Sequence, residues 1–365
     1  MKKLFLFSTL SFISIITFSQ TNDFVCGTID INTTGNVESN VACQNSINYF
    51  PDEFTQTNNV RVTLHIIQKT DGTGNFQDTP VERDWLENTL FNGQVNYIME
   101  NLSPMNLPTT SSHIQNSRIK YVVDDIFFHQ DTYLWDFSMG VGSGLAVTKA
   151  NSIYNQFVIN NPNVVNKTNS IHIFFVDGSG QPSQGRACGI PCSNWTLVTN
   201  VYQNNYLANT PWAIAGGIRH ELGHNLGLFH SWINDGCDDT PTNNNCWNGP
   251  SCSNNVMDYN AGKNALTECQ LGKMHYNIMN SIKNVLIDEC FQSDNLIVNN
   301  GQTNVWNNER ILKGNLIIKS GTSLQINCSV FMPKNGKIII EQGARFIVNG
   351  AIITNLCGEM WEVLK

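Results

Sequence analysis

From residue 220 to residue 230 the chain reads His-Glu-Leu-Gly-His-Asn-Leu-Gly-Leu-Phe-His, a spacing that demands a helix ending at one particular place. On an α-helix His220 and His224 sit about 40° apart and roughly 6 Å apart along the axis, so both imidazoles face one point. A continuing helix would turn His230 about 240° away from His224. The helix must therefore stop between them. Gly227 is the residue that can stop it, because without a Cβ it enters the left-handed conformation freely. Three neutral imidazoles suit zinc and leave a fourth position open to water, as in a catalytic rather than a closed structural site. Glu221 is then the candidate general base, taking a proton from that water and passing it to the leaving group.

The surrounding pattern supplies a scaffold. Thr210-Pro211 caps a predicted helix with Ile214, Ile218, Leu222 and Leu226 on one stripe, and the histidine cluster lies on it. Val60, Val62, Leu64 and Ile66 alternate as in a half-buried strand, with His65 on the other face. Thr79-Pro80-Val81-Glu82 is a capping box that opens a long helix carrying Trp85, Leu86, Leu90, Val95, Ile98 and Leu102. Strands are expected at 119–128, 171–176 and 196–201, with a helix near 145–157. Thr267 to Gln270 opens a last helix that turns Leu271, Met274, Ile278 and Ile282 inward. This order predicts an α/β sheet layered with helices. The other histidines, His65, His113, His129, His172 and His275, read as structural.

The ends of the 365-residue chain differ from this middle. Residues 1–20 run from Lys2-Lys3 through an apolar stretch to Ser19-Gln20, the order of a secretory signal peptide; an uncleaved anchor is the alternative. No later segment is apolar enough to span a membrane. All eleven cysteines lie beyond the signal, where export favours disulfides, and an odd number leaves at least one outside any internal pair. A net charge of −8 argues against nucleic acid as a partner. Residues 21–59 show no sustained period and read as an irregular arm or propeptide. From 291 to 365 the chain turns β-rich. Leu316 to Gly321 is echoed by Ile338 to Gly343, 22 residues on, and Leu324 and Ile326 return as Phe346 and Val348. Either a stacked β-solenoid or a pair of hairpins fits. Association with a cell surface through this tail is left open.

His220-Glu221-x-x-His224-x-x-Gly227-x-x-His230, followed by Asn255-Val256-Met257-Asp258-Tyr259, resembles the metzincin metalloproteases with their Met-turn. Cys237 and Asp239-Thr240-Pro241 between the two resemble the pappalysin branch over roughly residues 60–290. The resemblance implies a catalytic domain with a twisted mixed sheet and an active-site helix. It also implies hydrolysis of protein or peptide substrates, Met257 beneath the zinc, and a Tyr259 that either stabilises the oxyanion or serves structure. Asp238, Asp239 and Thr240 become candidate calcium ligands, with a solvated turn as the alternative. Cys26-Gly27-Thr28 resembles the latency segments of some metzincins, in which a thiolate fills the open zinc position; a Cys26–Cys43 disulfide is the alternative. Cys237, Cys246, Cys252 and Cys269 allow three pairings. In the family the strand before the active helix, here 196–201, forms the antiparallel edge on which a peptide would pair. Two other classes fit less well: a surface or adhesion protein keeping the fold only as a binding module, and a zinc hydrolase acting on a non-peptide bond.

Overall fold

The computed structural model describes residues 25–26, 28, 42–178, 182–241, 252–259, 262–287, 294–355 and 361. The signal-type segment 1–20 and Cys246, Cys290 and Cys357 lie outside the described residues.

Alternation at Val60 to Ile66 produces β2 (Asn58–Gln68), the strand next to one edge of a six-stranded mixed sheet. Its neighbours are β3 (Ile119–Gln130) and β4 (Ile171–Val176), both parallel to it. Beyond β4 comes β6 (Trp195–Thr199), also parallel. β5 (Gln184–Ala187) then runs antiparallel to β6 and pairs on its far side with β1 (Val25–Cys26). The expected edge strand is thus an inner one. The antiparallel strand is β5, which lacks any apolar alternation to announce it.

Helices cover both faces. The run after Thr79 consists of α1 (Pro80–Asp84), a wide π-helical stretch Trp85–Asn96, and α2 (Tyr97–Glu100). Thr79 accepts from the Glu82 N–H as a cap should, but the Glu82 carboxylate accepts from Gln77 N instead of closing the box. On the other face lie α3 (Thr132–Trp135) and α4 (Gly144–Tyr154). α5 (Pro211–Asn225) and α6 (Glu268–Asn280) complete the helices, and Thr267 with Gln270 forms the full capping box expected of α6. Val60, Val62, Leu64 and Ile66 join Leu86, Leu90, Ile218, Leu222, Leu271 and Met274 in the larger core. Ile67 and Phe174 face a second core with Ala146, Ile153 and Trp195. β2 is consequently covered on both sides rather than half-buried, and His65 is enclosed.

The tail forms three parallel sheets of three strands each. β7 (Leu296–Val298), β10 (Leu316–Ile318) and β13 (Ile338–Ile340) make one. β8 (Thr303–Trp306), β11 (Ser323–Ile326) and β14 (Arg345–Val348) make the next, and β9 (Arg310–Ile311), β12 (Val330–Met332) and β15 (Ile353–Asn355) the last. Leu316 faces Ile338 and Leu324 faces Phe346, the pairing that the 22-residue echo implies. Parallel pairing does not fit hairpins, which join antiparallel strands. A third row, β7 to β9, escapes the sequence pattern because its offset is 20 residues, Leu296 to Leu316, and because Asn304 and Trp306 stand opposite Leu324 and Ile326.

Residues 42–57 belong to the body and not to a loose arm. Cys43 is bonded to Cys328 of the tail, which removes the Cys26–Cys43 alternative. The Arg310 guanidinium grips Asp52 through two hydrogen bonds of 2.9 and 2.6 Å, and Phe54 is buried in the tail's core. Cys188–Cys192 and Cys237–Cys269 are further disulfides, and Cys252 is disulfide-bonded too. Among the described residues no helix is long and apolar enough to cross a membrane.

Candidate metal centre

α5 is buried almost all round, from Ile214 to Asn225, so its position is set by packing on every side. Arg219 reinforces this: its guanidinium donates to Gln94 O at 3.0 Å and to Lys263 O at 3.1 Å, tying the helix to two neighbours. The helix ends where the spacing requires. Gly227 has φ +95°, with Leu228 N donating to Gly223 O and Gly227 N to His224 O, both at 2.9 Å. These two bonds are the 6→1 and 5→2 pair of a Schellman motif. A Cβ on Gly227 would lie 1.9 Å from Asn277 Nδ2, so a larger residue would also have to displace the Asn277 amide from its bond to Leu226 O.

The turn returns His230 to the helix. Candidate ligand atoms of His220, His224 and His230 all lie within 4.8 Å of one another, and His224 Nε2 is 3.2 Å from His230 Nε2. Tetrahedral zinc with Zn–N bonds of ~2.0–2.1 Å places nitrogens roughly 3.3 Å apart, so the spacing fits. Tautomers agree. His220 Nδ1 meets Val256 O and His224 Nδ1 meets Leu228 O, each at 2.8 Å. Since a carbonyl only accepts, both Nδ1 atoms carry the hydrogen and both Nε2 atoms present lone pairs. Among the described residues no group hydrogen-bonds the buried His220 Nε2, so its lone pair is available to a cation. Burial first, then the neighbouring His224, Lys263 and His230 charges, hold His220 well below the usual histidine range and hence neutral.

Beneath the helix, residues 255–258 form a tight turn in which Asp258 N donates to Asn255 O at 3.1 Å and Met257 N to Asn255 Oδ1 at 2.8 Å. The Met257 thioether packs against Gly223, where a Cβ would come 2.4 Å from sulfur. Gly223 is therefore a requirement that the histidine spacing alone does not reveal. Tyr259 lies beside the cluster, its ring 5.9 Å from that of His220 and 5.4 Å from that of His230. Trp232, another residue the sequence does not single out, stacks on His230 at 4.1 Å and 15° and touches Tyr259 at 4.3 Å.

Glu221 is fully buried. One of its contacts comes from far away in sequence: the Thr28 hydroxyl donates to Glu221 Oε2 at 2.9 Å. Cys26 pairs through its backbone with Gly185; its side chain lies outside the described residues. Asp238 is exposed, whereas Asp239 Oδ2 accepts from Cys269 N at 3.0 Å. The grouping of Cys237, Asp239 and Cys269 offers no thiolates, because the two cysteines are bonded to each other.

No family model matches this chain, and no curated protein does. Among solved structures it is similar to mature mirolysin of Tannerella forsythia in complex with a cleaved peptide, at TM-score 0.38 and 15% identity, covering 64% of this chain and 97% of that one. Mirolysin in complex with a compound gives TM-score 0.38 and 16% identity over the same shares. Metalloproteinase-II from Bacteroides fragilis gives 0.30 and 14%, covering 63% of this chain and 59% of that one. Overlaps this loose leave the role of the site to be decided by its own residues.

Proposed function

We propose that this protein is an exported zinc-dependent endopeptidase of the metzincin type, pappalysin-like in its site. The observation that carries the proposal is the convergence of three imidazoles, two of them fixed with Nε2 lone pairs inward, around the helix that bears Glu221. His220, His224 and His230 would hold the ion. When bound, zinc polarises a carbonyl and makes water ionisable near neutral pH, bringing its pKa to about 7. Glu221 accepts the proton of the attacking water and returns it to the leaving amine. Tyr259, beside two of the imidazoles, donates its hydroxyl to the developing oxyanion. Met257 and Gly223 keep the floor of the site apolar and rigid, and Gly227 keeps His230 in place.

An extended peptide would bind by adding a strand to the edge of β5 that β1 takes in this structure. We read the tail as a three-coil β-solenoid tied to the body through Cys43–Cys328 and Asp52–Arg310. Calcium is not part of this proposal.

The test is bound zinc and cleavage of an unfolded protein, with and without chelator, beside Glu221→Ala. Because Thr28 bonds to Glu221 and Val25 and Cys26 pair with β5, the assay is run on the intact chain and on one nicked at an inserted recognition site between residues 31 and 40. Chelator-sensitive cleavage by the nicked chain, absent from the variant, is expected. Zinc binding without Glu221-dependent cleavage would sink the peptidase reading.

A further inference from the structure

Lys263, four residues past Tyr259, is only 4% exposed, and nothing in the chemistry proposed above uses it. An ammonium is strongly hydrated, so a lysine is seldom buried to this extent. The backbone here is built to hold one. Lys263 has φ +38°, in the left-handed region that a residue with a Cβ enters only where its surroundings over-determine it. Its carbonyl accepts from Arg219 Nη2 at 3.1 Å and from Arg219 Nε at 3.3 Å. One residue on, Asn264 N donates to Asn254 O and Asn264 O accepts from Ser103 N, both at 2.9 Å.

The same ties set Lys263 against the metal centre. Arg219 directly precedes His220 on α5. From the other side, Val256 O takes the His220 Nδ1 hydrogen at 2.8 Å, and Val256 N donates at 2.8 Å to Ala265 O, two residues past Lys263. The Lys263 charge bears on His220 more strongly than His230 does, although the His230 ring lies 5.1 Å from that of His220. Like charges in a water-poor pocket repel, so an ammonium is a poor neighbour for a centre that gathers lone pairs around a cation. Glu221 and Asp258, the buried carboxylates of α5 and of the 255–259 turn, offset the two charges of a zinc ion and no more. A carboxylate arriving with the substrate would bring the loaded centre, Lys263 included, to neutrality.

We propose that Lys263 is a specificity-determining residue of the cleft, its ammonium receiving a substrate carboxylate next to the scissile bond. The proposal rests on the peptidase reading and names its substrate class: peptides with Asp or Glu beside the cut, or peptides cut close to their own C-terminal carboxylate. The same charge turns away Lys and Arg at that position, so selection works by repulsion as well as by attraction. A hydrogen-bonded ion pair shielded from water is among the stronger polar contacts, which makes one side chain enough.

The test uses the zinc-loaded chain, nicked as above, and quenched peptides that differ only in carrying Glu, Gln or Lys on one or the other side of the scissile bond. Each peptide is made with a free and with an amidated C-terminus. A charged hydrogen bond is worth about ten- to a hundredfold, so the wild type should favour the best carboxylate peptide over its neutral counterpart by that factor in kcat/KM, mostly through KM. A gain with Glu in both end forms identifies the side chain as the carboxylate bound, and a gain confined to the free end identifies the chain terminus. Lys263→Gln should bring the ratio within about twofold of one, Lys263→Glu should favour the Lys peptide, and Lys263→Arg should keep the wild-type order. Binding of the same peptides to zinc-loaded Glu221→Gln, by fluorescence anisotropy, reads the preference without catalysis. A wild type that cuts the Glu and Lys peptides equally, in either end form, would overturn the proposal without any variant. So would a Lys263→Gln variant that loses zinc and slows on all peptides alike, which would make Lys263 a structural residue. Absence of chelator-sensitive cleavage of every peptide, with carboxylate-selective binding that Lys263→Gln abolishes, would instead remove the peptidase reading and leave the carboxylate site standing.

Discussion

Two sets of three buried histidines lie on opposite faces of one sheet, and they do different things with their nitrogens. In the set on α5, His220 and His224 give their Nδ1 hydrogens to backbone carbonyls, which leaves lone pairs gathered at one place. In the set formed by His65, His129 and His172, the rings bond to one another. His65 Nδ1 meets His129 Nε2 and His65 Nε2 meets His172 Nδ1, each at 2.9 Å. The central ring spends both nitrogens on its neighbours, so nothing converges. Phe157 stacks on His129 at 4.2 Å and Tyr154 packs edge-on to His172, closing the cluster with aromatic surface. Burial of three imidazoles does not by itself gather lone pairs at one place; on α5 the backbone carbonyls that fix the tautomers do so.

The comparison breaks most sharply at Glu221. Glu221→Gln removes the proton acceptor without touching an imidazole, so the nicked variant should keep its zinc and lose about 10²–10⁴ in kcat. No substitution in the other cluster should do this. Next in size is Gly227→Ala. A left-handed alanine costs about 1–2 kcal/mol before the collision with Asn277 is counted, and His230 loses its approach to the site. Thermal unfolding and zinc affinity should both fall, whereas Gly142→Ala, where a Cβ meets open space, should alter neither.

His129→Phe tests the second cluster alone. It keeps a ring against Phe157 but leaves His65 Nδ1 without its partner, at a cost of about 1–3 kcal/mol in unfolding free energy and with unchanged zinc content. It also changes the pH profile. Burial pushes His129 and His172 down to about 4 in the folded chain, whereas an unfolded histidine titrates near 6.5. Between these values the unfolded chain binds more protons, so stability is full above about pH 6.5 and is lost as the pH falls toward 4. The variant removes one such proton and should flatten that slope by about 1.4 kcal/mol per pH unit, measured by denaturant unfolding from pH 4.5 to 7. The smallest effect is expected at Trp232. Removing its stack on His230 in Trp232→Ala costs about 0.5–1.5 kcal/mol, a two- to tenfold loss of zinc affinity by chelator competition, which Trp232→Phe should largely restore.

The contrast also separates what the sequence reveals from what it conceals. His220, Glu221, His224 and Gly227 were legible because helix geometry and the need to end the helix act over a few residues. The 22-residue echo in the tail was legible for the same reason, since parallel rows repeat their demands. β5 was missed because Gln184-Gly185-Arg186-Ala187 carries no alternation and is a strand only through its partners. The contacts of Trp232 with His230 and of Thr28 with Glu221 depend on tertiary approach, the second across 193 positions of sequence. Residues 42–57 looked irregular because their order comes from the tail, through Cys328 and Arg310, rather than from any period of their own. His65 was placed on the correct face, but its bonds to His129 and His172 need three strands brought side by side.

The most direct measurement is the stoichiometry and affinity of zinc, by elemental analysis after chelator-buffered titration, for the wild type beside His224→Ala and His129→Phe. One zinc per chain, lost in His224→Ala and retained at full affinity in His129→Phe, is the expected result. A wild-type chain that binds no zinc, or a His224→Ala variant that binds it as tightly as the wild type, would contradict the account.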